Sequence, residues 1–202
     1  MSRFDDLAKV WDSGVERVEG AMIFVDSVKA SLNHDIKNFK VLDYGCGSGL
    51  VSFGFADSVK SIDGLDNSSG MIDVYNEKAK QIGLDNICGK LHDINKEDLA
   101  ENTYDLIVTN MTMHHIDNTN DFVNKLALSL KNGGKLFIAD LYKEDGTFHS
   151  DNEGVIHFGF EQSVVENAFL AAGLTNINIT KLHSILKPSS SYDIFIASGE
   201  KI

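Results

Sequence analysis

The sequence predicts an α/β domain: a mostly parallel seven-stranded sheet with helices on both faces, its last strand antiparallel, preceded by a helical N-terminal segment. Three observations predict it. Seven short apolar runs lie at residues 40–44, 59–65, 87–91, 104–109, 135–141, 176–182 and 193–197, mostly continuous rather than alternating, as in strands buried on both faces. Helical patterns separate most of these runs, the order that builds a parallel sheet. Only residues 183–192 join the last two runs, with no helical pattern, whereas a parallel pair needs a crossover of about a dozen residues or more. That pair is therefore read as antiparallel, with a loop at 183–192.

Taken in order, Phe4, Leu7 and Trp11 have helical spacing. Ser13-Gly14-Val15-Glu16 reads as a capping box, and behind it Val15, Val18, Met22, Val25 and Leu32 form an apolar stripe. Residues 1–38 are thus read as an N-terminal helical extension and 39–202 as the main domain, within one domain overall, as 202 residues suggest. Helices are expected at Ser68–Ile82 through Met71, Tyr75 and Ala79, and at Asp121–Leu130 through Phe122, Leu126 and Leu130. A further helix at Gln162–Ala172 ends before Gly173, where a left-handed C-terminal glycine belongs.

Charge narrows the function classes. Thirty Asp and Glu against 18 Lys and Arg give a net charge of −12, which argues against nucleic acid or an anionic membrane as the partner. Cys46 and Cys88 are too few for a disulfide scaffold or a four-ligand zinc site. No apolar stretch approaches membrane-spanning length, and Asp5, Asp6 and Asp12 occupy a start without a secretory apolar region. The expected setting is cytoplasmic, and nothing in the composition selects an oligomeric state.

Ligands of open α/β sheets bind beyond the carboxyl ends of the strands. That directs attention to residues 44–49, 66–71, 92–97, 110–119 and 142–160. Gly45, Gly47 and Gly49 follow the first strand, so the backbone there turns tightly and can approach a ligand closely. Their G-x-G-x-G spacing departs from the dinucleotide fingerprint G-x-G-x-x-G. Asp43 would set negative charge beside a pyrophosphate but would suit an amino group. Asp66 closes the second strand, where a carboxylate accepts both hydroxyls of a ribose. Asp93 closes the third and could accept from an adenine amino group.

Five segments, VLDYGCGSG (41–49), GLDNSSGMI (64–72), LHD (91–93), YDLIVTNMTMHHID (104–117) and LKNGGKLFIAD (130–140), resemble the successive motifs of class I S-adenosylmethionine-dependent methyltransferases. They most resemble the small-molecule branch that includes the quinone-biosynthesis C-methyltransferases, and the resemblance covers about residues 39–198. It implies a Rossmann-like sheet of order 3-2-1-4-5-7-6 with S-adenosyl-L-methionine as cofactor. By that resemblance Gly45 and Gly47 face the methionine part and Asp43 lies near its amino group. Asp66 takes the ribose hydroxyls beside Asn67 and Met71, Asp93 and Ile94 meet the adenine, and Asn110 lies near the methionine moiety.

On the acceptor side, Asn110-Met111-Thr112-Met113 differs from the Asn/Asp-Pro-Pro-Tyr pattern of amino-group methylases. With the acidic charge, this points to a small-molecule acceptor. His114 and His115 are the candidate catalytic residues, since an imidazole can act as a base near neutrality. His115 is preferred, because it follows the fourth strand by a few residues and so should lie on the cofactor side of the sheet; His114 is its control, since neighbours on an extended segment point to opposite sides. The long insert 143–160 holds His149, Asp151, Glu153 and His157 at loose spacing, and no metal is expected. Residues 3–32 are expected either to form a lid over the cofactor, with Trp11 and Asp12 as its prominent residues, or to pack on the sheet edge. Two other functions remain open at this point: a non-catalytic S-adenosylmethionine-binding protein and a nicotinamide-dependent oxidoreductase.

Overall fold

The computed structural model describes residues 3–32, 34–188 and 190–202. The seven strands are β1 (Lys40–Tyr44), β2 (Ser61–Asp66), β3 (Ile87–Leu91), β4 (Tyr104–Asn110), β5 (Leu130–Leu141), β6 (Thr175–Lys187) and β7 (Ser190–Glu200). They form one sheet in the order β3-β2-β1-β4-β5-β7-β6. β7 is antiparallel to both its neighbours and the other pairings are parallel. The observed order is the one the resemblance implies.

The helices are α1 (Arg3–Leu7), α2 (Val15–Ser31), α3 (Leu50–Phe55), α4 (Ser69–Ile82), α5 (Thr119–Ser129) and α6 (Gln162–Ala171). They cover both faces of the sheet, which explains the continuous apolar strands. Leu106, Val108, Phe137 and Ala139 point into one core with Phe24, Phe55 and Tyr75. Ile107, Leu136 and Ile138 point into the other, with Phe122, Leu126 and Phe169. Alternate residues thus serve opposite cores, and each large side chain contributes roughly 1.5–3 kcal/mol of burial. α2 belongs to the first core through Ala21, Phe24, Val25 and Val28. Among the described residues no helix is long and apolar enough to cross a membrane.

Local signals behave as the sequence suggests at α4, where the Ser68 hydroxyl accepts from Met71 N–H and Gly83 ends the helix at φ +73°. The capping box at residue 13 does not form. Residues 8–13 continue α1 as a 3₁₀ helix, so the Ser13 hydroxyl donates back to Val10 O at 2.6 Å. Gly14 takes the N-cap of α2 without a side-chain cap. The loop expected at 183–192 is also corrected. β6 and β7 pair as far as Lys187 with Ser190, leaving only two residues between them. β6 is an edge strand, so its half-exposed polar residues hide it from an apolar-run criterion.

Candidate active site

A cavity of about 370 Å3 lies beyond the carboxyl ends of the parallel strands, within the size range of small-molecule sites. The glycine loop forms one wall. Gly45 adopts φ +71°, and a Cβ there would run into the Thr112 side chain, so the position excludes other residues by both backbone and space. Gly47, at φ +52°, would meet only Met71 Sδ, at 3.9 Å, and so leaves open room beside the backbone. Gly45 and Cys46 donate to Leu65 O at 2.7 and 3.1 Å, which ties the loop to the end of β2.

Asp66 completes that tie. Its Oδ2 accepts Gly47 N–H at 2.8 Å and its Oδ1 accepts Ser68 N–H at 2.9 Å. Burial raises its carboxyl above the ordinary range despite these bonds, with Asp5 adding like charge. The two oxygens offer about four acceptor sites, so capacity remains for a ligand hydroxyl beyond the backbone N–H groups of Gly47, Asn67 and Ser68. Asp43 is more deeply buried, 1% exposed. Its Oδ2 accepts the Ser52 hydroxyl at 2.6 Å, while its Oδ1 is buried and has no partner. Burial pushes its carboxyl up to about 7, against the lowering effect of Ser52 and with a small upward push from Asp66. A ligand ammonium at Oδ1 would satisfy this atom and restore the ionised form.

Asp93 differs in kind. The hydrogen bond from Lys96, at 2.8 Å, holds its carboxyl below the usual range, and Asn95 N–H adds a second. Beside it Ile94 is buried, and its N–H donates to the Tyr44 hydroxyl at 2.9 Å. Asn67, Met71 and Asn110 also line the cavity. After Asn110 the backbone turns at Met111, a non-glycine residue at φ +56°. Burial pushes the Cys46 thiol up, which disfavours a nucleophilic role.

Residues 113–115 form a 3₁₀ turn, not an extended segment. The expectation that His114 and His115 point to opposite sides therefore fails: their ring centroids are 4.0 Å apart, and both residues line the cavity. His114 Nδ1 lies 2.7 Å from Asp140 Oδ1, and its backbone N–H donates to Asp140 Oδ2 at 3.1 Å. Asp140 is fully buried at the end of β5. Burial alone would raise its carboxyl, but His114 and the N–H groups of Leu141 and His114 outweigh that and hold it low. Facing a carboxylate, Nδ1 carries a proton in either protonation state; in the neutral imidazole Nε2 is then the acceptor, and it is buried without a hydrogen-bond partner. His115 Nδ1 instead meets Gly154 O at 2.7 Å, and its ring stands edge-on to Phe4.

The N-terminal segment crosses this site. Asp5 Oδ1 accepts from the Ser68 hydroxyl and Gly70 N–H, at 2.6 and 2.9 Å. Asp12 bonds the Ser48 hydroxyl and pairs with Lys78. Phe4, Leu7 and Trp11 line the cavity from that side. The 143–160 insert is pinned by Ile156 and His157 N–H groups on His114 O, both at 3.0 Å. His149 joins the histidine cluster, 5.1 Å from the His114 ring, whereas His157 Nε2 faces Ile116 O. Among the described residues no group of three or more His, Cys, Asp or Glu could hold a metal.

Sequence reasoning assigned no role to Asp140, Asp5 or Thr112. A signal for Asp140 existed: it closes the apolar run LFIAD as Asp43, Asp66 and Asn110 close theirs. Asp5 and Thr112 act across sequence distances that no local pattern encodes.

A sheet of this order, with a glycine loop after β1 and a carboxylate ending β2, defines the class I S-adenosylmethionine-dependent methyltransferases. The chain belongs to the methyltransferase-domain family whose model matches residues 35–187. It is 34% identical over 154 residues to an uncharacterized methyltransferase of Schizosaccharomyces pombe, covering 69% of this chain and 54% of the relative. It is 28% identical over 144 residues to a ubiquinone biosynthesis O-methyltransferase of Coxiella burnetii, covering 70% and 61% respectively. Phosphoethanolamine N-methyltransferase 2 of Haemonchus contortus, solved with S-adenosyl-L-methionine, has the same fold at TM-score 0.75 and 13% identity, covering 100% of this chain and 60% of that one. The chain thus spans little more than half the length of the curated relatives it matches. The family's cofactor is S-adenosyl-L-methionine, and the buried unpartnered Asp43 Oδ1 and the open space beside Gly47 suit its ammonium and a close backbone approach.

Proposed function

We propose that this chain transfers the methyl group of S-adenosyl-L-methionine to a small-molecule acceptor. The observation that carries the reading is the set of three carboxylates, Asp43, Asp66 and Asp93, converging on one cavity around the glycine loop. Asp43 would take the ammonium, Asp66 the ribose diol, and Asp93 the adenine amino group. Gly45 and Gly47 let the loop come close, Asn67 and Met71 flank the adenosine, Ile94 meets the adenine ring, and Asn110 lies beside the methionine part. The cofactor supplies an electrophilic methyl group on a sulfonium. The chain's own contribution is alignment and exclusion of water, for which a walled cavity suffices.

Where the acceptor must lose a proton, His114 is the better candidate base, and Asp140 is its positioning residue. The carboxylate fixes the imidazole's tautomer and leaves Nε2 as the proton acceptor, the logic of a carboxylate-oriented histidine in hydrolytic triads. His115, preferred from the sequence, instead ties the turn to the insert at Gly154. The names of the similar ubiquinone-biosynthesis and phosphoethanolamine enzymes support a small acceptor. Calorimetry with S-adenosylhomocysteine and transfer of labelled methyl to a metabolite extract test the proposal. Binding of the product together with a labelled small metabolite is expected. Binding without any transfer would leave a sensor, and tight NAD binding with no response to S-adenosylhomocysteine would overturn the cofactor assignment.

A further inference from the structure

The charges around the cavity are sorted. Asp43, Asp66 and Asp93 stand at the ends of β1, β2 and β3, on the glycine-loop side. The other half is walled by α2, the insert and β6, and brings in Arg17 and Lys187. β6 runs parallel to β1, so its carboxyl end, with Lys187, reaches the same edge of the sheet four strand spacings away, about 19 Å.

Among the described residues neither cation pairs with a carboxylate, a mode shared with Lys29, which donates to Gly54 O and lies over the Phe55 ring; unlike Lys29, both line the cavity. Acidic residues outnumber basic ones by 30 to 18, and Lys40, Lys78, Lys90, Lys125, Lys131 and Lys181 each pair with an aspartate. Arg17 and Lys187 have no carboxylate partner among the described residues. Arg17 lies with its Cζ 4.1 Å from the Trp11 ring centre, and its Nη1 donates to Trp11 O at 3.1 Å. Lys187 Nζ lies 4.2 Å from the Phe148 ring centre and 5.6 Å from that of Tyr192, and donates to Phe148 O. Aromatic faces and carbonyl oxygens orient a cation without cancelling its charge. Glu16 is the carboxylate lining this half, but it is exposed and pairs with neither cation.

We propose that the methyl acceptor carries an anionic group, a carboxylate or a phosphate monoester, received by Arg17 and Lys187. This rests on the methyltransferase reading only for the word acceptor; the anion site itself is read from the side chains. An anionic group would offer these cations a charged acceptor, where each now has only a neutral carbonyl oxygen. An amino or purely apolar acceptor would leave the half-buried Lys187 charge facing it without a counter-charge, which is also a means of rejecting such molecules.

The test uses the full chain, first titrated with S-adenosylhomocysteine and then probed with benzoate, phenyl phosphate, benzyl alcohol and benzylammonium by NMR and calorimetry. At least one anion is expected to bind about tenfold tighter than benzyl alcohol, with benzylammonium weakest. The tighter of the two anions identifies the group. Arg17→Gln and Lys187→Gln should each weaken the anion about fivefold or more, leaving benzyl alcohol and S-adenosylhomocysteine affinity unchanged. Added salt should weaken the anion alone. The proposal is overturned if neither anion binds, if the neutral or cationic probe binds as tightly, or if the double variant keeps the anion affinity. Absence of S-adenosylhomocysteine binding would instead strike the methyltransferase reading, and the probe series on the unliganded chain would still answer the anion question.

Discussion

Asp43 offers a test in which two effects of one substitution have opposite signs. Its carboxyl rises from an ordinary 3.8 to about 7, chiefly through burial. The corresponding difference between protonation states is about 4 kcal/mol. Because the folded value exceeds the unfolded one, this contribution favours the folded chain below pH 4 and is lost as pH rises toward 7. The unliganded protein should therefore lose stability from this group between about pH 4 and pH 7. A ligand ammonium at Oδ1 reverses the burial effect and expels the proton. Proton release on binding is expected to be larger at pH 6 than at pH 8, with affinity for S-adenosylhomocysteine rising over the same range. Calorimetry in buffers of different ionisation enthalpy measures the release. Asp43→Asn should abolish it and weaken the ligand about tenfold or more, yet raise the thermal midpoint of the unliganded protein at pH 8. Proton release that persists in Asp43→Asn, or a lowered midpoint at pH 8 with unchanged affinity, would refute the reasoning.

Asp66→Ala removes the acceptor of Gly47 N–H as well as the proposed diol partner; S-adenosylhomocysteine affinity should fall at least about tenfold by calorimetry, with the fold retained in circular dichroism. With an acceptor that must lose a proton, Asp140→Asn should lower kcat by about 10²–10⁴ at unchanged S-adenosylhomocysteine affinity, whereas His115→Ala should be far milder; equal losses in both would remove the special role of Asp140. Asp5→Ala and Asp12→Ala free the bonds that hold residues 3–13 across the site, so hydrogen exchange there should quicken and the ligand should leave faster. Gly45→Ala should be severely destabilised, because its Cβ meets the Thr112 side chain at a positive φ, and Thr112→Ser would relieve only part of the loss.

The sheet was legible because its cause is local. Strands covered on both faces must be apolar at successive positions, so VLDY, DLIVT and KLFIAD announce themselves within single windows. The glycine loop and the carboxylates closing β1, β2 and β3 were equally legible, since each sits at a fixed offset from a recognisable strand end. Where several local options compete, the sequence was ambiguous. Ser13 could cap α2 or bond back into the preceding turn, and the extension of α1 as a 3₁₀ helix decided for the latter. The turn at 113–115 decided which histidine meets a carboxylate, because Asp140 is 26 residues away and only the pairing of β4 with β5 brings it there. Asp5 reaches Gly70 across 65 residues, and Lys187 approaches Phe148 across 39. The amino-acid pattern by itself determined which runs become strands, the antiparallel sense of the last pair and the carboxylates placed at the strand ends, while the strand order came from the resemblance. Tertiary packing alone decided the partners of His114, the clasp of the N-terminal segment and the gathering of cations opposite those carboxylates. The physical reason is that hydrophobic periodicity and turn chemistry act within a few residues, while hydrogen bonds and charges act between whatever the fold makes adjacent.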